Sequence, residues 1–151
     1  MLTTRSFQCG DEVAIVDLWH RCGLAWPQND ALKDIARKSK VRAELFRVGL
    51  FEGKIVATVM IGYEGHRGWI NYLAVSPEHQ RKGFGRQMMV DAEVLLRAEG
   101  CPKINLQVRT SNEAVISFYR ALGYAVDDVV SLGKRLEHDD QKPNKAPEAN
   151  G

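Results

Sequence analysis

SPEHQRKGFGRQMM, Ser76 to Met89, sets two glycines one residue apart inside a cluster of cations. The apolar run WINYLAV, Trp69 to Val75, precedes it, and Met88, Met89, Ala92, Leu95 and Leu96 follow at the spacing of one helix face. The stretch reads as strand, turn, helix. A helix N-terminus presents unpaired N–H groups and partial positive charge, and so attracts phosphate. Glycine at 83 and 85 lets the backbone approach a ligand closely and gather successive N–H groups into one concavity. Arg81, Lys82 and Arg86 add full charge around it, which suits a pyrophosphate. A P-loop would need GxxxxGK[ST], and a dinucleotide fingerprint needs a third glycine and a tighter turn. Taken alone, the stretch also fits a solvated basic turn.

Outward from this junction, punctuation divides the chain. Leu2 to Phe7 reads as a short strand, and Asp11 as the cap of a helix that ends near Gly23. Asn29 or Asp30 caps a second helix through Lys40. LFRVGLF and KIVATVMIG flank Glu52-Gly53 as a hairpin, and YEGHRG turns the chain into WINYLAV. The helix after Gly83 stops at Gly100 with Pro102 beyond. KINLQV is a strand, SNEAVISFYRALGY a helix ended by Gly123, and AVDDVVSLGKRL a pair of closing strands. The expected order is βααβββαβαββ, an α/β (α+β) single domain: a central mixed sheet of about seven strands with helices on both faces. The domain is expected over 1–136. Residues 137–151 are polar, with two prolines, and are expected to form a disordered tail.

Composition excludes several classes. At 151 residues the chain is long enough for one core, and a net charge of +2 is too small to imply a nucleic-acid or membrane surface. Cys9, Cys22 and Cys101 are odd in number without CxxC spacing, so neither a disulfide framework nor a metal site is expected. The N-terminal stretch lacks the uninterrupted apolar core of a signal peptide. A soluble cytoplasmic protein with reduced thiols is expected.

Gln80-x-x-Gly83-x-Gly85 after a strand, followed by a second strand and then Asn112, Ala114, Phe118, Tyr119, Leu122, Gly123 and Tyr124, resembles the GNAT superfamily of N-acetyltransferases. The resemblance spans about Leu2 to Leu136. GYEGHRG, GCPKI, YRALGY and SLGKRL are similar to the bacterial YpeA-type acetyltransferases within it. The resemblance implies acetyl-CoA lying between two splayed parallel strands, Trp69–Val75 and Lys103–Val108. The pantetheine arm would pair with Leu73, Ala74 and Val75 as an added strand. The pyrophosphate would lie on N–H groups from Arg81 through Lys82, Gly83, Phe84 and Gly85 to Arg86, with Gln80 opening the motif. The resemblance also implies Tyr119 as the acid that protonates the departing sulfur and Asn112 as a pantetheine ligand. It implies a β-bulge whose N–H near Val75 polarises the thioester carbonyl. A phenol, with a reference pKa of about 10, suits the acid's role. In isolation Tyr119 equally reads as a core aromatic and Asn112 as a helix cap.

The general base is not legible. The two positions where relatives carry a glutamate hold Trp69 and Gln107 here. Glu64 and His66, in the turn before the fourth strand, are the candidates, His66 having the better reference pKa. A water held by Asn71 or Tyr72 would serve instead. The resemblance implies an acceptor pocket walled by the first helices, including Trp19, Trp26 and Asn29–Asp30, with Asp30, Asp127 or Asp128 available to a cationic amine. The expected activity is direct acetyl transfer to a primary amine of a small molecule or protein. The alternatives are a non-catalytic acyl-CoA sensor and a domain for another nucleotide. A homodimer would cover the closing edge strand.

Overall fold

The computed structural model describes residues 1–140. Strand β1 (Thr3–Ser6) leads into helices α1 (Glu12–Arg21) and α2 (Ala31–Lys38). Then come β2 (Phe46–Phe51), β3 (Lys54–Tyr63), β4 (Gly68–Val75), α3 (Phe84–Ala98), β5 (Ile104–Leu106) and α4 (Glu113–Ala121). The sheet order is β1-β2-β3-β4-β5. The first four strands run antiparallel, and β5 joins β4 in parallel after the α3 crossover. Glu52 and Gly53, at φ 53° and 77°, make the two-residue β2–β3 turn, whose left-handed dihedrals match the strand twist.

The central strands are buried on both sides, which is why β3 reads as a nearly continuous apolar run. On one face α1 and α2 pack Ile15, Leu18, Trp19 and Ile35 against Phe46, Val48 and Ala74. On the other, α3 and α4 bring Met88, Met89, Leu96 and Tyr119 onto Val59, Ile61 and Ile70. Gly68 makes close packing possible there, since a Cβ would lie 2.9 Å from both Cys101 Sγ and a Leu96 methyl.

Five strands form among the described residues rather than the expected seven. Ala125–Leu136 makes no strand. Side chains, not backbone ladders, hold this segment to β5: Asp127 takes Lys103 at 3.0 Å and the Asn105 amide at 2.8 Å, and the Gln107 amide donates to Ser131 Oγ. Beyond them Arg135 donates to Asn29 at 2.6 Å. Val126, Val129, Val130, Leu132 and Leu136, in the segment expected to form the closing strands, stay exposed. The expected tail enters the described residues as far as Asp140, and 141–151 lie outside them. Within that part Asp139 binds Arg37 through both oxygens, at 2.7 and 2.9 Å, and accepts the Asp30 N–H at 3.1 Å.

The caps divide the same way. Asp30 and Asn112 cap α2 and α4, accepting from Lys33 N–H at 3.0 Å and Val115 N–H at 3.3 Å. Asp11 stands before α1 but makes no cap bond, because Arg5 and the Gln8 N–H take its carboxylate.

Candidate active site

Strands β4 and β5 pair only at Gly68–Ile104, Trp69–Asn105 and Ile70–Leu106. Past Ile70, β4 keeps its ladder with β3 and, among the described residues, has no strand on its other side. A cleft of about 770 Å³ opens where the strands part, with Leu73, Val108, Asn112 and Tyr119 on its walls. An extended chain with amide groups can add itself to such an edge.

The glycine junction lies at the end of β4. Gly83 occupies the N-cap position of α3 at φ 80°, and no side chain caps the helix. The first turn of α3 contains no acidic residue, unlike those of α1, α2 and α4. Among the described residues no side chain caps its leading N–H groups, and Arg81, Lys82 and Arg86 are exposed around them. The residues fit a diphosphate. The two glycines serve different ends. A Cβ on Gly83 would meet nothing within 4 Å, so its left-handed dihedral is what requires glycine. A Cβ on Gly85 would lie 3.2 Å from the Phe118 ring, so that glycine sets how closely α4 meets α3. Phe84 is buried, and the Gln80 amide ties the turn to the Val75 carbonyl at 3.1 Å. Arg21 of α1 grips the same turn through Glu78 at 2.7 Å and Ser76 at 3.1 Å. With the Ser76 hydroxyl as the larger cause and Arg21 adding to it, the Glu78 carboxyl is held down at about 2.

The bulge falls at Tyr72–Leu73, ahead of the expected position near Val75. The β3–β4 register shifts between Thr58 and Met60, and Tyr72 stands at φ 50°. Buried Trp19 and Thr58 and half-buried Tyr72 account for it. Trp19 Nε1 donates to Thr58 Oγ1 at 2.9 Å, Thr58 donates to the Tyr72 carbonyl at 2.8 Å, and the Trp19 ring stacks on Tyr72 at 3.8 Å. Val75 stays in register opposite Ala57, its carbonyl taken by Gln80 and the Cys22 thiol. Ala74 is buried against α1. The Tyr72 hydroxyl donates to Asp34 at 2.6 Å, and burial with that bond pushes the phenol's pKa up.

Tyr119 lines the cleft and is 8% exposed; burial raises its pKa, so the phenol is neutral and able to donate. Asn112 spends Oδ1 on the α4 cap and also lines the cleft, so capping and ligand contact are compatible. Trp26 stands at the same cleft beneath the Arg109 guanidinium, 4.0 Å from ring centroid to cation. Glu64, His66, Asp30, Asp127 and Asp128 are not among the residues lining it. The Glu64 carboxylate accepts N–H bonds from His66, Arg67 and the Trp69 indole, and these hold its pKa below the usual range. His66 is exposed in the same turn.

Of the residues the sequence singles out, Tyr119 and Asn112 line the cleft, and Gly83 stands at the start of α3. Sequence reasoning missed the Trp19–Thr58–Tyr72 chain, for which a hydroxyl inside IVATVMI was an available signal. It also missed Asp34, which looks like any polar residue on an amphipathic helix. Among the described residues no helix is long and apolar enough to cross a membrane, and no group of three acidic, histidine or cysteine side chains is arranged to hold a metal.

Residues 13–124 match the model of the acetyltransferase (GNAT) family. An acetyltransferase of Yersinia pestis (strain Pestoides F) is 45% identical over 132 residues, covering 87% of this chain and 94% of its own. One from Pectobacterium atrosepticum is 44% identical over 135 residues, covering 89% and 96%. Among solved structures, the Escherichia coli ribosomal-protein-S18-alanine N-acetyltransferase is 26% identical with a TM-score of 0.69, over 82% of this chain and 77% of that one. The PaiA N-acetyltransferase of Thermoplasma acidophilum, solved with coenzyme A, shares the fold at a TM-score of 0.74 and 16% identity, over 86% and 93%.

Proposed function

Because this chain belongs to the GNAT acetyltransferase family, we propose that it transfers an acetyl group from acetyl-CoA directly to the primary amine of an acceptor. The observation that carries this reading is the parting of β4 and β5 beside an uncapped, cation-ringed helix N-terminus, with a neutral phenol on the cleft wall. The α3 N-terminus with Arg81, Lys82 and Arg86 would hold the diphosphate, and the free edge of β4 and Asn112 the pantetheine. Acetyl-CoA supplies the thioester. The Leu73 N–H, at the bulge, is the donor for the carbonyl oxygen as charge develops there. A C–N bond forms from the amine and the C–S bond breaks. Tyr119 gives its proton to the departing sulfur, and the nitrogen's surplus proton returns to the phenol through solvent.

Cys22 lines the cleft, yet burial pushes its thiol pKa up and the thiol donates to Val75. It is a poor nucleophile, consistent with transfer without a covalent enzyme intermediate. A second reading, an acyl-CoA sensor without turnover, draws on the absence of a free carboxylate base. Asp34 is the acidic residue on the cleft, and Tyr72 and Arg37 occupy its oxygens.

Calorimetric titration with acetyl-CoA tests the first part. Wild type should bind, and Gly83→Glu, which puts an anion into the turn, should not. A folded wild type that fails to bind overturns the reading. Tyr119→Phe then separates enzyme from sensor: turnover should fall on the order of a hundredfold, with acetyl-CoA affinity retained. Unchanged turnover would remove Tyr119 as the acid.

A further inference from the structure

The charges around the acceptor side of the cleft do not balance. Its acidic side chain, Asp34, is already committed to the Tyr72 hydroxyl at 2.6 Å and Arg37 at 3.0 Å. Arg37 is further neutralised by Asp139, whose side chain is 2% exposed. Lys38 and Arg109 also line the cleft, and neither forms an ion pair among the described residues. Lys38 gives its ammonium to the Ile61 carbonyl at 2.6 Å, on a strand edge that β2 leaves unpaired. Arg109 differs. Its guanidinium carbon lies over the Trp26 ring, 4.0 Å from the centroid, a cation–π contact that leaves its N–H donors without a carboxylate partner among the described residues. The bordering C-terminal segment adds Arg135, bonded to neutral Asn29. Among the described residues that line the cleft, the three cations Arg37, Lys38 and Arg109 outnumber the one carboxylate, Asp34.

We propose that the acceptor is a small amine that also carries a carboxylate, an amino acid or close analogue, and that Arg109, stacked on Trp26, receives that carboxylate. A guanidinium that no carboxylate of the chain occupies can meet a ligand carboxylate through two parallel N–H bonds. The surplus of cations also opposes an ammonium, which favours the free amine the reaction needs. That bears on the missing base: with Asp34 committed, the field of the cleft does part of a base's work. Arg109 is thus a specificity-determining residue.

The inference rests on the acetyl-transfer reading, and the test separates the two. Acetyl-CoA binding is measured first; its absence fails both. With binding established, amino acids are compared with the amines that remain when the α-carboxylate is removed, such as alanine with ethylamine and leucine with 3-methylbutylamine. Rates are expressed per free base. The carboxylate-bearing member should be preferred at least about tenfold in kcat/KM. In Arg109→Met, which keeps the apolar stack, that preference should collapse, chiefly through acceptor KM, and Arg109→Lys should restore part of it. Calorimetry of the amino acid against the CoA-bound protein gives a readout independent of turnover, with binding in wild type and none in Arg109→Met. Equal rates for both members, acetylation of neither, or equal loss on both in Arg109→Met each overturns the proposal while leaving the cofactor reading standing. Loss of acetyl-CoA affinity in Arg109→Met would assign the arginine to a cofactor phosphate instead, and also overturns it.

Discussion

Thr58 sits fully buried in the middle of β3, a hydroxyl among valines. It accepts from the Trp19 indole and donates to the Tyr72 carbonyl, so one side chain satisfies a buried donor and a bulge carbonyl together. Thr58→Val preserves the shape and strips both bonds. The expected cost is about 1–3 kcal/mol of unfolding free energy, because a buried indole N–H loses its acceptor. Urea denaturation measures it. Acetyl-transfer rate should fall as well, since the bulge that aims the Leu73 N–H relaxes; a stable variant with full activity would detach the bulge from catalysis. At this scale the sequence points to residues that sit in local motifs, as with Gly83, Gln80, Asn112 and Tyr119. Pairs formed across distant segments, Asp34 with Tyr72 and Arg109 with Trp26, carry no local signature because the path of the α1–α2 loop brings them together.

Helix α3 begins with two glycines that have separable roles. Gly83→Ala forces a side chain into a left-handed dihedral and should cost about 1 kcal/mol. Its methyl meets no protein atom, so any further loss, read as weaker acetyl-CoA affinity by calorimetry, reports contact with the ligand itself. Gly85→Val instead drives against Phe118 and should destabilise by about 1–3 kcal/mol, the range of an overpacked core. If Gly85→Val is as stable as wild type, the α3–α4 contact is softer than its spacing implies. The helices were readable because α1, α3 and α4 are followed by Gly23, Gly100 and Gly123, all at positive φ. The closing strands were not. VDDVVSL carries three β-branched valines, but Asp127 is drawn to Lys103 and Asn105, and side-chain bonds then replace the ladder that propensity favoured.

Across the whole molecule, three tyrosines tie stability to alkaline pH. Burial is the leading cause that raises the pKa values of Tyr72, Tyr119 and Tyr124, the last to about 12. An unfolded tyrosine ionises near about 10, so the folded chain binds more protons above that pH. Stability should hold below about pH 10 and fall as pH rises from there through 12. Urea midpoints across that window test the sign; a flat profile would mean that these phenols ionise as easily folded as unfolded. The architecture up to Tyr124 was legible because each element has its own period and punctuation. The Arg37–Asp139 clasp was not, since it joins segments far apart in the chain. The short β4–β5 pairing has a consequence for hydrogen exchange. Amides of β4 beyond Ile70 that face away from β3 have solvent in place of a strand, so they should exchange deuterium quickly in the free protein. Coenzyme A should slow a peptide spanning Asn71–Val75 while leaving one spanning Val56–Val59 unaltered. Under the proposed binding mode coenzyme A should also stabilise the fold thermally, by about 2.7 kcal/mol at a hundred times Kd.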